Sequence, residues 1–567
     1  MKKQCFAQLY TPEGENLPAQ PWNTYPRPQL RREKWMNLNG LWDFAVRPSP
    51  ELPGEYPETI LVPFAPESLL SGIHRTVPEG ASLFYRRTFT LPDGFGEGRV
   101  LLHIGAADQE AEVYLNGRLL GGHIGGYQPF SFDITEALAA ENELVIRVVD
   151  RLSLHELPYG KQRQKRGGMW YTPVSGIWQT VWLEAVPEEY ISSLRIRTGA
   201  DWVEFEAGTG DGTVTIRTPE ETLEIPLQHG KARAAIKNPR LWSPEDPYLY
   251  RCSVQMGVDM VESYFALRTL EIKEINGISR LCLNGKPYFF HGLLDQGYWS
   301  DGLFTPADAV CYEKDILAMK ALGFNTLRKH IKVEPEQFYY DCDRLGMIVF
   351  QDFVNNGDYS FLRDTALPTV GMKRKNDRHL HKDPKTRHHF LVHMEQTVAQ
   401  LDNHPCVCYW TIFNEGWGQF DSTAAYHHLK ALDDSRFIDS ASGWFTGGES
   451  DVESDHVYFK PFRPRKTKKP LVLSEFGGYA LKVEGHAFNP DQEYGYRHFE
   501  DRESYQAAVV KLYEEEIVSA IPKGLCGAIY TQVSDVEDET NGLVTYDRKV
   551  TKLDADVMRS LAEKLKI

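Results

Sequence analysis

Two glutamates stand directly after apolar runs in the second half of the chain. Glu415 follows Cys408–Asn414, and Glu475 follows residues 470–474. A glutamate at the end of a buried strand costs several kcal/mol unless it is paired or has a chemical task. Each follows a small polar residue and precedes a glycine within two positions, which favours a task over a structural ion pair with arginine. Paired carboxyl groups suit glycoside hydrolysis, in which a retaining enzyme holds them about 5–5.5 Å apart.

Eight short apolar segments alternate with helical segments from about residue 285 onward, and the two glutamates end two of these segments. Eight strand–helix units in this order predict a (β/α)8 barrel, whose active site lies at the carboxyl ends of its strands. The predicted strands are Tyr288–Leu294, Phe324–His330, Met347–Phe353, Val407–Glu415, Phe437–Gly443, Asp455–Phe459, Leu471–Phe476 and Leu525–Gln532.

Two of the intervening helices have signals at both ends. Thr305 is predicted to cap the first helix and Gly323 to end it. Pro335 is predicted to open the second helix and Gly346 to close it. These helices would separate the first three strands, as a barrel requires.

The first half of the chain consists of alternating apolar and polar residues broken by turns. Asn116-Gly117 is typical of a two-residue hairpin turn. Residues 1–186 are therefore predicted to form a jelly-roll β-sandwich and residues 187–284 an immunoglobulin-like β-sandwich. With residues 285–567 as a TIM barrel, the fold class is multidomain β and α/β.

The composition excludes several classes of protein. The net charge of −16 opposes nucleic-acid binding, which needs a basic face. No stretch approaches 18 apolar residues, and no apolar segment follows the first two lysines, so we expect a soluble cytoplasmic protein without a membrane partner. Eight scattered cysteines without a CxxC pair indicate neither a zinc site nor a disulfide framework. Aromatic residues make up 12% of the chain, and sugar sites use such rings for stacking.

The order of several motifs resembles glycoside hydrolase family 2. That family includes β-galactosidases, β-glucuronidases and β-mannosidases, and the resemblance spans nearly the whole chain. The similar stretches are Pro26–Pro28, Leu38–Phe44, Gly126–Thr135 and Ser175–Trp178 for its jelly-roll domain, Asn238–Pro244, Pro247–Tyr250 and Phe265–Arg268 for its immunoglobulin-like domain, and Asn284–Pro287, Gly323–His330, Asn414-Glu415 and Glu475 for its barrel.

The resemblance implies roles for five residues of a retaining double displacement. Glu415 would be the acid/base and Glu475 the nucleophile. Arg328 would lie under Glu475 and keep it ionised, because a cation within about 4–6 Å lowers a carboxyl pKa. Tyr458 would hydrogen-bond the nucleophile, and Asn414 would bind the sugar 2-hydroxyl.

Other residues are candidates for the sugar pocket. The resemblance implies that His330 and Trp444 line it, although His330 could act only as a supporting residue and Trp444 could pack in the core. Residues 291–299 lack the basic side chains common there, which makes Asp295, Gln296 and Trp299 candidates for an unusual sugar contact or ordinary loop residues. In the family, a loop of the jelly-roll domain often contributes an aspartate to the site. In this chain that loop comprises residues 166–170 and has glycine at the position of the aspartate.

Two ligand patterns of the family are missing. Large β-galactosidases of the family hold magnesium through a glutamate–x–histidine after the third strand, where this chain has Gln351-Asp352, so we predict no such metal and no cofactor. Glucuronidases have an Asn-x-Lys pair near the eighth strand, where residues 538–543 contain no lysine. Four nearby acids would repel a uronic acid, which disfavours a glucuronide. These are Asp535, Glu537, Asp538 and Glu539.

The sequence therefore predicts a retaining exo-β-glycosidase that acts on the terminal neutral sugar of a small oligosaccharide or glycoside. A β-galactoside comes first by family frequency; galactofuranosides, arabinosides, mannosides and, less favoured, glucuronides stay open, as does a homo-oligomer. Two other classes are a non-catalytic carbohydrate-binding protein on the same scaffold and a metal-dependent barrel hydrolase using His330 and Asp352.

Overall fold

The computed structural model describes residues 6–369, 376–445 and 447–567. Three large buried apolar clusters mark two β-sandwiches and an α/β barrel. The family's three-part architecture predicted from the motifs is confirmed. The domain limits at residues 186 and 284 stay predictions, and a small sheet spans the second limit. Its strands are Leu270–Ile275, Ile278–Leu283 and Lys286–Pro287.

A six-stranded sheet and a four-stranded sheet form the first sandwich. Asn116 and Gly117 join two strands of the larger sheet with φ of +52° and +78°, the left-handed conformation that a type I′ turn requires. In sheet order the larger sheet is Glu58–Val62, Gly40–Arg47, Ser82–Phe89, Asn142–Val149, Glu110–Leu115 and Arg118–Ile124. The smaller is Trp35–Asn37, Val181–Val186, Arg99–Ile104 and Phe130–Asp133, with a separate pair, Ala107–Asp108 and Gly176–Ile177.

The second sandwich packs a three-stranded sheet against a four-stranded sheet. Alternate residues point into its core, as in Tyr250, Cys252 and Val254 on one strand. The sheets are, in order, Arg195–Thr198, Trp202–Glu206 and Lys231–Ala235, and Thr222–Leu227, Gly212–Arg217, Tyr250–Met256 and Asp259–Phe265.

All eight predicted barrel strands are present and lie in one parallel sheet. We number them β1 (Phe290–Asp295), β2 (Thr326–Lys329), β3 (Ile348–Asp352), β4 (Val407–Asn414), β5 (Phe437–Ser442), β6 (Glu453–Val457), β7 (Leu471–Gly477) and β8 (Leu525–Thr531). The hydrogen-bonded order is β5-β4-β3-β2-β1-β8-β7-β6, so β1 and β8 are neighbours and the barrel is nearly closed. A further parallel pair, Tyr479–Leu481 and Arg497–Phe499, lies outside this sheet.

The helices around the barrel are α1 (Val310–Ala321), α2 (Glu336–Leu345), α3 (Pro384–Leu401), α4 (Ser422–Leu432), α5 (Arg502–Leu512) and α6 (Ala555–Glu563). Short helical segments are Gly14–Asn16, Thr135–Ala137, Leu152–Leu154, Leu362–Ala366, Leu367–Thr369, Tyr513–Ile517 and Val518–Lys523. The predicted ends of α2 are confirmed, since Gly346 has φ +74° and its N–H bonds to Cys342 O. The prediction that Thr305 caps α1 is wrong, because its hydroxyl donates to Trp178 O of the jelly-roll domain instead.

The jelly-roll domain reaches the carboxyl-end rim of the barrel through residues 159–172, here called the rim loop. Tyr159 anchors the start of the rim loop, with its N–H 3.0 Å from Asn355 O and its hydroxyl 2.9 Å from Gly357 O. Arg166 pairs with acids that follow β8. The rim loop is thus fixed to the barrel from both sides.

In the described part of the chain, no helix combines the length and apolar character needed to cross a bilayer. Seven cysteines in the described residues are buried and unbridged.

Candidate active site

Glu415 and Glu475 come together at the carboxyl ends of β4 and β7. One carboxylate oxygen of each, and a ring nitrogen of His456, all lie within 4.8 Å of one another. The glutamates are 9% and 5% exposed, so both are largely withdrawn from solvent. Their separation is close to that of the two carboxyl groups in retaining glycosidases.

Arg328 at the end of β2 fixes the position of Glu475. Its Nη1 donates to Glu475 Oε1 and to Ser474 O, both at 3.0 Å. Its Nη2 donates to Asn414 Oδ1 at 2.9 Å, and its Nε donates to Asp352 Oδ1 at 3.0 Å. One buried guanidinium therefore ties together the ends of β2, β3, β4 and β7.

Tyr458, just beyond β6, holds the other oxygen of Glu475. Its hydroxyl donates to Glu475 Oε2 at 2.5 Å and lies 3.0 Å from Thr531 Oγ1. The Tyr458 ring stacks on Tyr496 with 3.8 Å between ring centres. Glu475 thus has a donor on each oxygen, which stabilises the carboxylate form.

His456 is a site residue that the sequence reasoning missed. Its Nδ1 lies 2.8 Å from Glu415 Oε1 and 3.5 Å from Glu475 Oε2, and its Nε2 lies 3.0 Å from Ser442 Oγ. A signal existed: His456 stands two residues before Tyr458, and residues two apart on a strand point to the same face.

The surroundings push the pKa values of the two glutamates apart. Burial raises the pKa of Glu415, and the charge of Glu475 raises it further against the opposing effect of His456. Burial would also raise the pKa of Glu475, but His456 and Arg328 outweigh it and lower that pKa to about 2. Two carboxyl groups with opposite shifts can serve as a proton donor and an ionised nucleophile at the same pH.

The backbone at the end of β4 is turned to place Glu415. Glu415 has φ +53°, in the left-handed region that non-glycine residues rarely adopt and that clusters at functional sites. Trp444 Nε1 donates to Glu415 O at 3.1 Å and to Asp364 O at 3.0 Å. Trp444 is half-buried beside His456, with 5.6 Å between ring centres. It therefore lies at the site and also supports the turn.

His330 faces the same region from the end of β2. Its Nδ1 donates to Asp352 Oδ2 at 2.7 Å, and burial, followed by the charge of Lys161, lowers its pKa to about 4. Among the described residues, the acid and histidine atoms that converge closely enough to hold a metal ion are those of Glu415, His456 and Glu475. Asp352, the acid considered for a metal site, instead pairs with Arg328 and His330.

The structure does not bring Asp295 and Trp299 to the glutamate pair. Asp295 Oδ2 accepts from Lys329 Nζ at 2.6 Å, and both residues, with Trp299, line a small cavity on the α1 side of the sheet. Gln296 lies on the β8 side, where its Nε2 donates to Gln532 Oε1 at 2.7 Å. Trp299 meets the chain after β8 elsewhere, with the Arg548 guanidinium carbon 4.1 Å from its ring centre.

Two cations pair with three of the four acids after β8, which weakens the charge argument against a uronic acid. Lys552 Nζ lies 2.6 Å from Asp535 Oδ1, and Arg166 bonds both Glu537 and Asp538. Glu539 Oε2 accepts from Gln532 Nε2 at 2.8 Å, and burial raises the pKa of Glu539. Lys552 and Arg166 offset two of the four negative charges, and the raised pKa of Glu539 favours its neutral form, so the expected repulsion is reduced.

Comparison with known proteins places this architecture in one family. The profile described as "Glycosyl hydrolases family 2, sugar binding domain" matches residues 69–187, "Glycosyl hydrolases family 2" matches 196–268, and "Glycosyl hydrolases family 2, TIM barrel domain" matches 273–567.

The similar proteins include enzymes with two different names. The β-glucuronidase of Felis catus is 26% identical over 73% of this chain and 69% of its own length. The β-galactosidase of Arthrobacter sp. (strain B7) is 29% identical over 67% of this chain and 35% of its own length. The solved β-D-glucuronidase of Dictyoglomus thermophilum shares the fold, with a TM-score of 0.73 at 20% identity over 95% of this chain and 98% of that chain.

The three matched domains define the class of this protein as a glycoside hydrolase. Because the barrel profile alone covers more than half of its residues, the chain belongs to glycosyl hydrolases family 2.

Proposed function

We propose that the protein is a retaining exo-β-glycosidase in which Glu475 is the nucleophile and Glu415 the acid/base. Two observations on one pair of residues support this most. Carboxylate oxygens of Glu415 and Glu475 lie within 4.8 Å of each other, and the pKa values of the two groups are shifted in opposite directions. Ionised Glu475 attacks the anomeric carbon while Glu415 gives its proton to the leaving oxygen. Glu415 then accepts a proton from the water that releases the sugar.

The neighbouring residues support these roles. Arg328 and Tyr458 keep Glu475 ionised and aimed, while Asn414, held by Arg328, is the candidate for the sugar 2-hydroxyl. His456 stabilises Glu415 after it has lost its proton. Trp444 and His330 are the candidate pocket walls, with Gln296 at the β8 side.

For the sugar, we propose a terminal β-uronide, with the neutral β-galactoside as the second candidate. The cat relative and the Dictyoglomus structure are both named glucuronidases, and three of the four acids after β8 are paired with cations. The Arthrobacter relative, named a β-galactosidase, favours the second candidate. Matched aryl β-glucuronides, β-glucosides and β-galactosides, compared by kcat/KM, decide between the two.

The mechanism is tested with Glu415→Ala and sodium azide. The variant should lose most activity toward an aryl glycoside with a poor leaving group, whose departure needs the acid. With a good leaving group, azide should restore turnover by attacking the glycosyl-enzyme from the site of the missing carboxyl group. A β-glycosyl azide product is expected, because attack on a covalent intermediate inverts twice. An α-azide would contradict retention, and no rescue would contradict the assignment of Glu415.

A further inference from the structure

One buried ammonium group at the rim has no carboxylate partner. Lys161 belongs to the rim loop and is 8% exposed. Across residues 6–369, 376–445 and 447–567, its Nζ makes neither a hydrogen bond nor an ion pair. The side chain is mostly buried but its Nζ is not among the fully buried atoms without a partner, so the ammonium can be reached from outside and an anion bound beside it would supply the missing counter-charge.

The backbone around Lys161 is held in place. Tyr171 N donates to Lys161 O at 3.0 Å, and Arg163 N donates to Tyr171 O at 3.1 Å. Between them, Gln162 Nε2 donates to Asp108 Oδ2 at 2.9 Å and Gln162 Oε1 accepts from Val174 N at 2.6 Å. The ammonium is therefore presented by a loop that is already ordered, as a specific binding group requires.

Lys161 projects toward the catalytic glutamates. Its Nζ lies 5.6 Å from the ring centre of Trp417, two residues after Glu415, and 5.7 Å from that of Tyr171. Burial is the main influence on the pKa values of Glu415 and His330, and the charge of Lys161 acts on both, lowering each. The charge of Lys161 thus influences the pKa values of both Glu415 and His330.

Several other cations at this end of the barrel pair with carboxylates, and among the described residues Arg163 is an exception that contacts aromatic rings instead. Arg163 lies flat on Trp170, with its guanidinium carbon 3.9 Å from the ring centre. Glu539, whose charge Lys161 also influences, lies beyond ion-pair distance of it and accepts from Gln532 instead. The remaining pairs are Arg328 with Asp352 and Glu475, Lys329 and Lys332 with Glu334, Arg166 with Glu537 and Asp538, and Lys552 with Asp535.

We propose that Lys161 binds the carboxylate of a uronic acid whose anomeric carbon lies between Glu415 and Glu475. The inference rests on the proposed function. The jelly-roll domain would then supply the anion-binding group that residues 538–543 of the barrel lack, so that substrate charge is recognised across the domain boundary.

The test compares 4-nitrophenyl β-D-glucuronide with 4-nitrophenyl β-D-glucoside, which differ only at C6. In Lys161→Met the ratio of kcat/KM for glucuronide to that for glucoside should fall about 10- to 150-fold, the range for a hydrogen bond to a charged group. Lys161→Arg, which keeps the charge, should lose less. The matched control is Lys165→Met, an exposed lysine of the same loop, which should keep the wild-type ratio.

A second readout separates binding from an indirect effect on Glu415. The inhibition constant of free D-glucuronate should rise in Lys161→Met by a factor similar to the fall in the kcat/KM ratio, and that of D-glucose should rise much less. Parallel losses on both substrates with an unchanged glucuronate constant would overturn the inference, because Lys161 would then act only through Glu415. If Lys161→Met does not fold, the same two ratios are measured on Lys161→Gln, which should show the full loss, and on Lys161→Arg, which should lose less.

Two further assays distinguish a failure of the Lys161 inference from a failure of the proposed mechanism. Turnover of the glucoside or the galactoside without turnover of the glucuronide would overturn the role of Lys161 and leave the double displacement standing. Turnover that survives in Glu475→Gln would instead overturn the proposed mechanism.

Discussion

Two buried charge clusters meet on opposite faces of β2. On the inner face, Arg328 joins Glu475, Asp352 and Asn414 at the barrel axis. On the outer face, the next residue, Lys329, pairs with Asp295 and Glu334 at 2.6 and 2.9 Å. We call these the inner and outer clusters. Both consist of buried, charged side chains.

The two clusters differ in what their acids are free to do. In the outer cluster Glu334 is held by Lys329, Lys332 and the Tyr312 hydroxyl. Asp295 has a lowered pKa there, and burial raises the pKa of Asp315, which lines the same small cavity, to about 6. In the inner cluster Glu475 is held ionised while Glu415, a few ångströms away, has a raised pKa. Burial, ion pairing and opposed pKa shifts therefore occur in both clusters, and the inner pair is set apart by the close approach of its two carboxyl groups at the ends of β4 and β7.

The largest expected effect is on the inner cluster. Glu475→Gln removes the nucleophile, so kcat/KM for an aryl glycoside should fall by at least about 10⁴-fold. Arg328 keeps Asp352 as a partner, so the fold should persist. Circular dichroism and the thermal midpoint are the controls. A variant that is well folded and active would contradict the assignment of Glu475.

The matched change in the outer cluster should act on stability instead. Glu334→Gln leaves Lys332 without a carboxylate, and breaking a buried pair costs about 3–5 kcal/mol of unfolding free energy. The folded fraction should keep kcat within about threefold of wild type. Urea unfolding followed by tryptophan fluorescence measures the first effect. A large loss of kcat without a loss of stability would show that the two clusters are not separate in function.

A smaller effect is expected for Asp295→Asn. Lys329 would keep Glu334 as its partner, so the loss should be about 1–3 kcal/mol, that of one charged hydrogen bond. Because Asp295 faces α1, kcat/KM should stay within about threefold of wild type on all aryl glycosides. A selective loss on one sugar, at unchanged stability, would restore Asp295 as a sugar contact.

The smallest expected effect is a shift in the pH profile. The proposed mechanism needs Glu475 ionised and Glu415 protonated. The value of kcat/KM should therefore fall as pH rises through the raised pKa of Glu415. In acid it should fall only as the Glu475 pKa of about 2 is approached. His456 lowers both pKa values, so His456→Gln should move both limbs to higher pH and reduce kcat about tenfold. If the pH dependence of kcat/KM were the same in His456→Gln as in the wild type, His456 would only pack against the two glutamates.

The two clusters also separate what sequence patterns could and could not predict. The eight barrel strands were predictable because each is a short apolar run with a polar end. Glu475 stands out by its place after an apolar run, and the roles of Arg328 and Glu475 follow from the resemblance to a family. For Asp295 the sequence leaves a sugar contact and an ordinary loop position both open, because a polar residue after a strand looks the same whether it points to the barrel axis or to a helix.

The amino-acid sequence by itself determined the strands, the hairpin at Asn116-Gly117 and the two glutamates at strand ends, because these depend on patterns between residues close together in the chain. Only the tertiary structure decided which charges are paired: Arg166 shares its charge between Glu537 and Asp538, and Lys161 has no carboxylate partner among the described residues. The physical reason is that electrostatic interactions depend on distance and burial. Folding brings together groups from different domains, at separations that no local pattern encodes.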